Sequence, residues 1–345
     1  MNGPQPIKNV NDFWQDTTDC WQRLPNKTFF FVLLAAWLAL FQFLGNSILG
    51  YVHTPSLFLW MYHAYNGSAS AQDDKHGNII PFLVIGLFWW KRHELLNSRM
   101  RFWGPGLAIL IFGMVLQILG YSIQVPQVSI VALFVGIYGL MGLAWGTEWL
   151  FKSLFPFFLF AFSIPLGTHS TFITFPLRLL VTWLVEGVSH IFGIGVIRVG
   201  TSLIDPSGTF RYDVVAACSG IRSLVAIFLL ATVYAFFTFR SPWKRLFLIA
   251  LACPFAVLAN MLRLLMVIVA AEIGGQTVGD WVHDDWFTSI LPYVPAFIGF
   301  MLVGQWLEKQ EKRAGETGLV SERFDRPLKD TPTNPHGASP ESEPT

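Results

Sequence analysis

The sequence predicts an all-α polytopic membrane protein: about eight transmembrane helices, an additional outer interfacial helix, and a small extended or hairpin element before the sixth span. Three observations predict it. Hydrophobic residues make up 53% of the 345 and charged ones only 13%. Apolar runs recur that are long enough to cross a hydrocarbon core of ~30 Å. The remaining charges fall between those runs and favour one side of them. A net charge of +1 offers no strong field for nucleic acid.

Residues 1–28 are polar and mixed, without the pattern of a cleavable signal peptide, so the run that follows is read as a retained first span, about Phe29 to Leu49. The stretch from Gly50 to Asn78 is polar, with turn signals and the segment Asp73-Asp74-Lys75-His76-Gly77. A short second run, Ile79 to Trp90, ends in Lys91-Arg92-His93-Glu94. The third and fourth, about Gly104 to Ile123 and Val128 to Gly146, are joined by a tight Gln-Val-Pro-Gln turn, and a Pro-interrupted fifth goes from Ser153 to Leu166. From Phe172 to Phe192 the apolar periodicity is broken by Arg178, Glu186 and His190, which suits an interfacial or bundle-packed helix. The segment GIGVIRVGTSLIDPSGTFRYDVV combines β-branched residues with glycines and a Pro-Ser-Gly turn, the marks of a small hairpin.

The sixth span runs from about Ala217 to Phe239 and is stopped by Arg240, Pro242, Lys244 and Arg245. The seventh, from about Leu246 to Ile273, ends in Gly-Gly, and the eighth covers about Phe287 to Trp306. Beyond Glu308 the chain becomes charged and rich in Pro, Ser, Thr and Glu. The expected organisation is a cytoplasmic amino-terminal segment (1–28), a multi-spanning membrane domain (29–308) and a disordered cytoplasmic tail (309–345).

With the amino terminus inside, all but six of the 23 basic residues fall on the cytoplasmic side, the exceptions being Lys75, Arg178, Arg198, Arg211, Arg222 and Arg263. Both termini are therefore expected to be cytoplasmic, and the region around Cys218 and His283 to face outward. The three cysteines do not suggest a disulfide scaffold: Cys218 and Cys253 are expected roughly 20 Å apart in depth, far beyond bridging distance.

Arg263 stands out because a guanidinium inside an apolar helix costs several kcal/mol unless it meets a polar partner or snorkels to the headgroups. It lies ~26 Å along a helix starting at Leu246, and Asn260 shares its face. Cys218 sits where a helix begins, followed by Ser219 and Gly220, with Arg222 one turn on. A helix amino terminus and a nearby cation both favour thiolate, although a membrane-helix cysteine is commonly just a small apolar residue. His283 follows the seventh span beside Asp284 and Asp285, where a carboxylate is available to orient the ring for proton transfer. Asp74 and His76 lie on the outer side ahead of the second span and either touch a substrate or belong to a solvated loop. Glu186 and His190 are four apart, but the sequence has no HExxH and no CxxC pair, so no metal site and no cofactor are expected.

The run Ala217-Cys218-Ser219-Gly220-Ile221-Arg222-Ser223, the N-x-x-R pair Asn260 and Arg263, and His283 about twenty residues later resemble the exosortase/archaeosortase family. So do the outer Asp74-x-His76-Gly77 segment and the Gly-rich stretch ahead of the cysteine. The resemblance covers roughly residues 50 to 306, and a histidine at the third position is more like the bacterial exosortases. It implies a membrane-embedded cysteine transpeptidase or protease. Such an enzyme cleaves exported proteins bearing a carboxy-terminal sorting signal, of the PEP-CTERM kind, made of a short motif, a transmembrane helix and a basic cluster. The implied location is the cytoplasmic (inner) membrane with the active site facing outward. By position, the resemblance implies Cys218 as nucleophile, Arg263 as oxyanion stabiliser and His283 as acid/base, with Arg222, Ser219, Asn260, Asp74 and His76 in support. The competing class is a non-enzymatic transporter, or a component of surface polysaccharide export, with Arg263 in a pathway.

Overall fold

The computed structural model describes residues 10–47, 54–67, 69–165, 171–213, 221–239 and 241–324. Helix α1 (Val10–Arg23) precedes α2 (Lys27–Leu44), the first predicted span, which stops at Gly45. Where a polar stretch was expected there is a further helix, α3 (Leu57–Asn66), whose N-cap Ser56 accepts from the Leu59 amide. A 3₁₀ segment (Ala69–Asn78) leads into α4 (Ile80–Trp90), and α5 (Arg92–Leu96) follows. Helices α6 (Gly106–Ser122) and α7 (Pro126–Trp145) form an antiparallel pair turned at Gln124, which adopts φ 58°.

The fifth predicted span begins earlier than expected, as α8 (Thr147–Phe158), and closes in a 3₁₀ turn (Leu159–Ser163). Helix α9 (Thr171–Ile191) matches the predicted interfacial helix closely, and the hairpin element is a three-stranded antiparallel sheet. Its strands are β1 (Ile197–Val199), β2 (Ser202–Ile204) and β3 (Arg211–Asp213). Then come α10 (Ile221–Thr238), α11 (Pro242–Asp284), the short α12 (Trp286–Ile290) and α13 (Tyr293–Phe324).

The protein is helical and built for a membrane, but three described helices are long and apolar enough to cross one: α2, α7 and α11. Shorter apolar helices carry several of the other expected spans. The second is only 11 residues, about 16 Å, too little to cross alone. The eighth is interrupted between α12 and α13, and α13 continues past Glu308 to Phe324, where a disordered tail was expected.

Close helix packing rests on small residues. A β-carbon on Gly106 would come within 2.5 Å of the Leu143 amide, and one on Gly139 within 2.7 Å of the Leu110 amide, so α6 and α7 touch backbone to backbone. At one end of the bundle the basic residues assigned to the cytoplasmic side come together. Lys91 Nζ donates to the Lys152 carbonyl (2.9 Å), and Lys152 pairs with Glu148 (2.8 Å). Arg92 meets Asp16 (2.7 Å), and both Lys91 and Arg245 lie over the Phe236 ring.

The main departure from expectation is in α11. The predicted Gly-Gly stop does end the rod, but the chain reverses at Gly275 (φ 76°, ψ −178°) and returns as a second helical arm, 276–284. Ala271 on the first arm faces Gly279 on the second: a β-carbon on Gly279 would stand 2.8 Å from Ala271 Cβ and would collide with Tyr212 Oη. Strand β3 docks on the returning arm, with Tyr212 Oη donating to the Gln276 carbonyl (3.3 Å) and the Arg211 amide donating to Gln276 Oε1 (2.9 Å). Beneath this junction Val181, Val185, Val196, Leu203 and Phe210 pack on Leu264, Ile268 and Ala271, joining α9, the sheet and α11 in one core.

Gly275 and Gly279 are needed for different reasons, so their replacement should fail differently. Gly275→Ala has open space but a glycine-only conformation and should cost of order 1–3 kcal/mol; Gly279→Ala should cost about 1–3 kcal/mol by overpacking. Thermal unfolding in detergent reads both, and Tyr212→Phe should relieve only the second. Burial, and then the Asp280 carboxylate, push the Tyr212 hydroxyl from 10.0 up to about 12. Between those values the unfolded chain releases this proton while the folded one keeps it, so stability should fall as pH rises from about 10 to about 12. An ultraviolet difference titration of wild type against Tyr212→Phe checks the position of the step.

Candidate active site

The reversal at Gly275 sets the geometry of the site. Arg263 and His283 are 20 residues apart, about 30 Å along a straight helix, yet the Arg263 guanidinium donates to the His283 carbonyl at 3.4 Å. Two antiparallel arms hinged near position 274 bring them to one level. The arginine is thus partly shielded from lipid and supplied with a backbone acceptor, which offsets part of the cost of placing it in an apolar helix.

The His283 ring is held in turn by Asp284, with Nδ1 and Oδ1 at 2.8 Å. An ionised carboxylate only accepts, so Nδ1 keeps its hydrogen and donates it to Asp284, and in the neutral ring Nε2 is the nitrogen with the lone pair. His283 is 16% exposed and Asp284 81%, so the ring is tucked in while its carboxylate faces out. The other candidate carboxylate, Asp285, has a structural role, capping α12 by accepting from the Phe287 and Thr288 amides (3.1 and 3.0 Å). Thr288 Oγ1 donates back to the Val282 carbonyl (2.7 Å), pinning the segment that presents His283.

Asn260 lies one turn below Arg263, only 5% exposed, and its Oδ1 has no hydrogen-bond partner among the described residues. A buried acceptor left open in this way costs about 1–3 kcal/mol.

Helix α10 brings a fourth element to the same depth. Its residues Ala231 and Ala235 share a core with Leu248 and Ala252, so α10 and α11 form an antiparallel hairpin about Ser241. Counting at ~1.5 Å per residue from that turn, Ile221 at the start of α10 is level with Met261, between Asn260 and Arg263. Cys218 and Ser219 lie outside the described residues, as does the side chain of Arg222; the sequence puts Cys218 three positions ahead of Ile221.

The segment ahead of α4 packs beside α10. Trp90 and Phe237 meet edge to face at 4.9 Å, and Leu229 and Val233 of α10 pack with the cluster of Ile80, Val84, Leu87 and Leu159. The 3₁₀ segment bearing Asp74 and His76 contacts α10 as well. Asp74 is 6% exposed, which removes it from the class of solvated loop carboxylates. The segment is organised around Tyr65, whose ring lies on Gly77 and whose hydroxyl donates to the Ser163 carbonyl. Burial, and with it the Asp74 carboxylate, pushes that hydroxyl above its ordinary range.

Glu186 and His190 serve the fold. Glu186 accepts from the Arg198 amide (2.9 Å) and pairs with its guanidinium (3.4 Å), and His190 Nε2 meets the Val196 carbonyl (2.7 Å). Sequence reasoning missed Tyr65, Tyr212 and Gln276, which position the site from outside it. Only the Gly274-Gly275 pair gave a local signal, of a chain break but not of its direction.

The family model for transmembrane exosortases matches residues 67–302, more than half of the chain. No curated protein and no solved structure matches significantly. The matched stretch begins at the end of α3, runs into α13, and includes Asp74, Asn260, Arg263, His283 and the segment around Cys218. By this match and by its bundle of apolar helices, the chain is an integral membrane protein belonging to the transmembrane exosortase family.

Proposed function

We propose that this protein is a cysteine transpeptidase or protease of the cytoplasmic membrane that cleaves carboxy-terminal sorting signals at the outer face. The observation that carries the reading is the fold-back at Gly275, which sets the Arg263 guanidinium against the His283 segment at the level where α10 begins. A substrate whose own helix lies in the bilayer presents its scissile peptide at that depth.

Cys218 acts as the nucleophile and passes its thiol proton to His283. The amino terminus of α10 favours its thiolate, as does Arg222 one turn on. The thiolate attacks the carbonyl carbon, and the carbonyl oxygen becomes the tetrahedral oxyanion. Arg263 is the cation supplied for that oxygen, and in a partly dry site the charge pair is stronger than in water. As the intermediate collapses, the C–N bond breaks and His283 delivers a proton to the departing amine, leaving a thioester on Cys218. Asp284 steadies the imidazolium in that step and fixes which nitrogen exchanges the proton. An acceptor amine then attacks the thioester to give a transpeptidation product, or water attacks to give hydrolysis, and the thiol is restored in either case.

Asn260 and the Asp74-His76 segment are substrate-facing in this reading. The open Oδ1 of Asn260 accepts a peptide N–H of the bound motif, and Ser219 and the outer segment flank it. Protein partners are exported chains ending in a short motif, a transmembrane helix and a basic cluster.

The test is processing of a co-expressed protein carrying such a signal. Cys218→Ala should abolish cleavage while the variant stays folded in the membrane; normal processing by it would sink the enzymatic reading. Arg263→Ala should slow cleavage by about 10²–10³ and His283→Ala by about 10²–10⁴. Asp284→Asn should fall between His283→Ala and wild type in cleavage rate. A transporter would tolerate Cys218→Ala and be crippled mainly by Arg263→Ala.

A further inference from the structure

At the basic end of the bundle, remote from Arg263, three side chains converge that the proposed chemistry does not use. Asp16 and Cys20 are one turn apart on α1, and His93 arrives from α5. Asp16 Oδ1 is 3.5 Å from His93 Nε2 and 3.9 Å from Cys20 Sγ, and the three candidate ligand atoms lie within 4.8 Å of one another. We propose that Asp16, Cys20 and His93 bind one divalent metal ion of the Zn(II) class and thereby tie the amino-terminal helix to the membrane domain.

The spacing is somewhat wider than that of a closed tetrahedral site. With metal–oxygen and metal–nitrogen bonds of ~2.0 Å and a metal–sulfur bond of ~2.3 Å, ligand atoms stand ~3.3–3.5 Å apart, so side-chain movements of about 1 Å or less close the site. One thiolate, one imidazole and one carboxylate select a borderline ion such as Zn(II) over Mg(II) or Ca(II), and leave a fourth position for water.

The surroundings supply the outer support such a site needs. Arg92 Nε holds Asp16 Oδ2 at 2.7 Å, which leaves Oδ1 turned toward Cys20 and His93. Arg92 is fixed in turn by the Trp89 carbonyl (2.8 Å) and lies 4.4 Å over the Trp89 ring. Burial, and next the Asp16 carboxylate, raise the Cys20 thiol above its ordinary range. A bound cation displaces that proton, so affinity rises with pH. The simpler alternative, an ion pair between Asp16 and a protonated His93, involves no sulfur. That difference makes the two readings separable.

The full-length protein in detergent, stripped with a chelator, is titrated with Co(II) and then with Zn(II). One Co(II) per chain should bind with a near-ultraviolet thiolate-to-cobalt band, and Zn(II) should abolish the band. Cys20→Ser should lose the band, which separates Cys20 from the other thiols, and Arg92→Gln should weaken binding about 10–100-fold. As a second readout, Zn(II) should protect Cys20 of the wild-type protein from alkylation, and His93→Gln should remove that protection. A wild-type titration without the band, or a Cys20→Ser protein that retains it, overturns the proposal. Neither result bears on cleavage at Cys218.

Discussion

An arginine cannot be left in an apolar helix without polar company, and this requirement organises the half of the molecule away from the basic end. Arg263 sits about 32 Å above the start of α11, where the apolar run is nearly spent. Its guanidinium is met by the carbonyl of His283, delivered from a chain segment that had to turn back to reach it. The turn needs a backbone conformation that only glycine adopts cheaply, and Gly275 supplies it. Without the reversal, α11 would carry His283 some 30 Å away from the arginine.

The returning arm is held in place by the sheet. Gln276 engages β3 through both its carbonyl and its side chain, Gly279 leaves room for Tyr212, and the apolar side of the sheet rests on α9 and the upper part of α11. The soluble-looking insert between the fifth and sixth predicted spans is therefore a brace. It fixes the arm that carries His283 and Asp284 while leaving the arginine on a rigid rod. Proposed acid/base and proposed oxyanion group thus sit on two arms of one hairpin, and their relative position depends on one hinge and one docking contact.

The two ends of the bundle differ in character. The basic end is crossed by charge-assisted contacts, Asp16 of α1 with Arg92 of α5 and Lys91 with the carbonyl of Lys152, which pairs with Glu148 one turn away in α8. The other end carries buried or half-buried polar groups, Asp74, Asn260, Arg263 and His283. Ion pairs close to solvent contribute little individually and suit a tie between surface helices. Polar groups withdrawn from water act more strongly on a substrate, which is what a site for amide chemistry requires.

Periodicity and charge placement in the sequence determined the helical membrane character, the bounds of α9, the small β element and the clustering of basic residues at one end, because each follows from local composition. The segment around Cys218, with Arg263 and His283, carried enough identity to mark the family. Sequence did not give every helix: the polar stretch before Asp74 hid α3, whereas the short apolar run after it is a helix of 11 residues within a residue of the expected bounds. Nor could it say that Gly274-Gly275 turns the chain back and does not merely end a helix. That depends on what the returning segment finds to pack against, namely Ala271 and the Arg263 guanidinium on the first arm and Tyr212 from the distant strand β3. Local residue patterns specify a break; only tertiary contacts specify its direction.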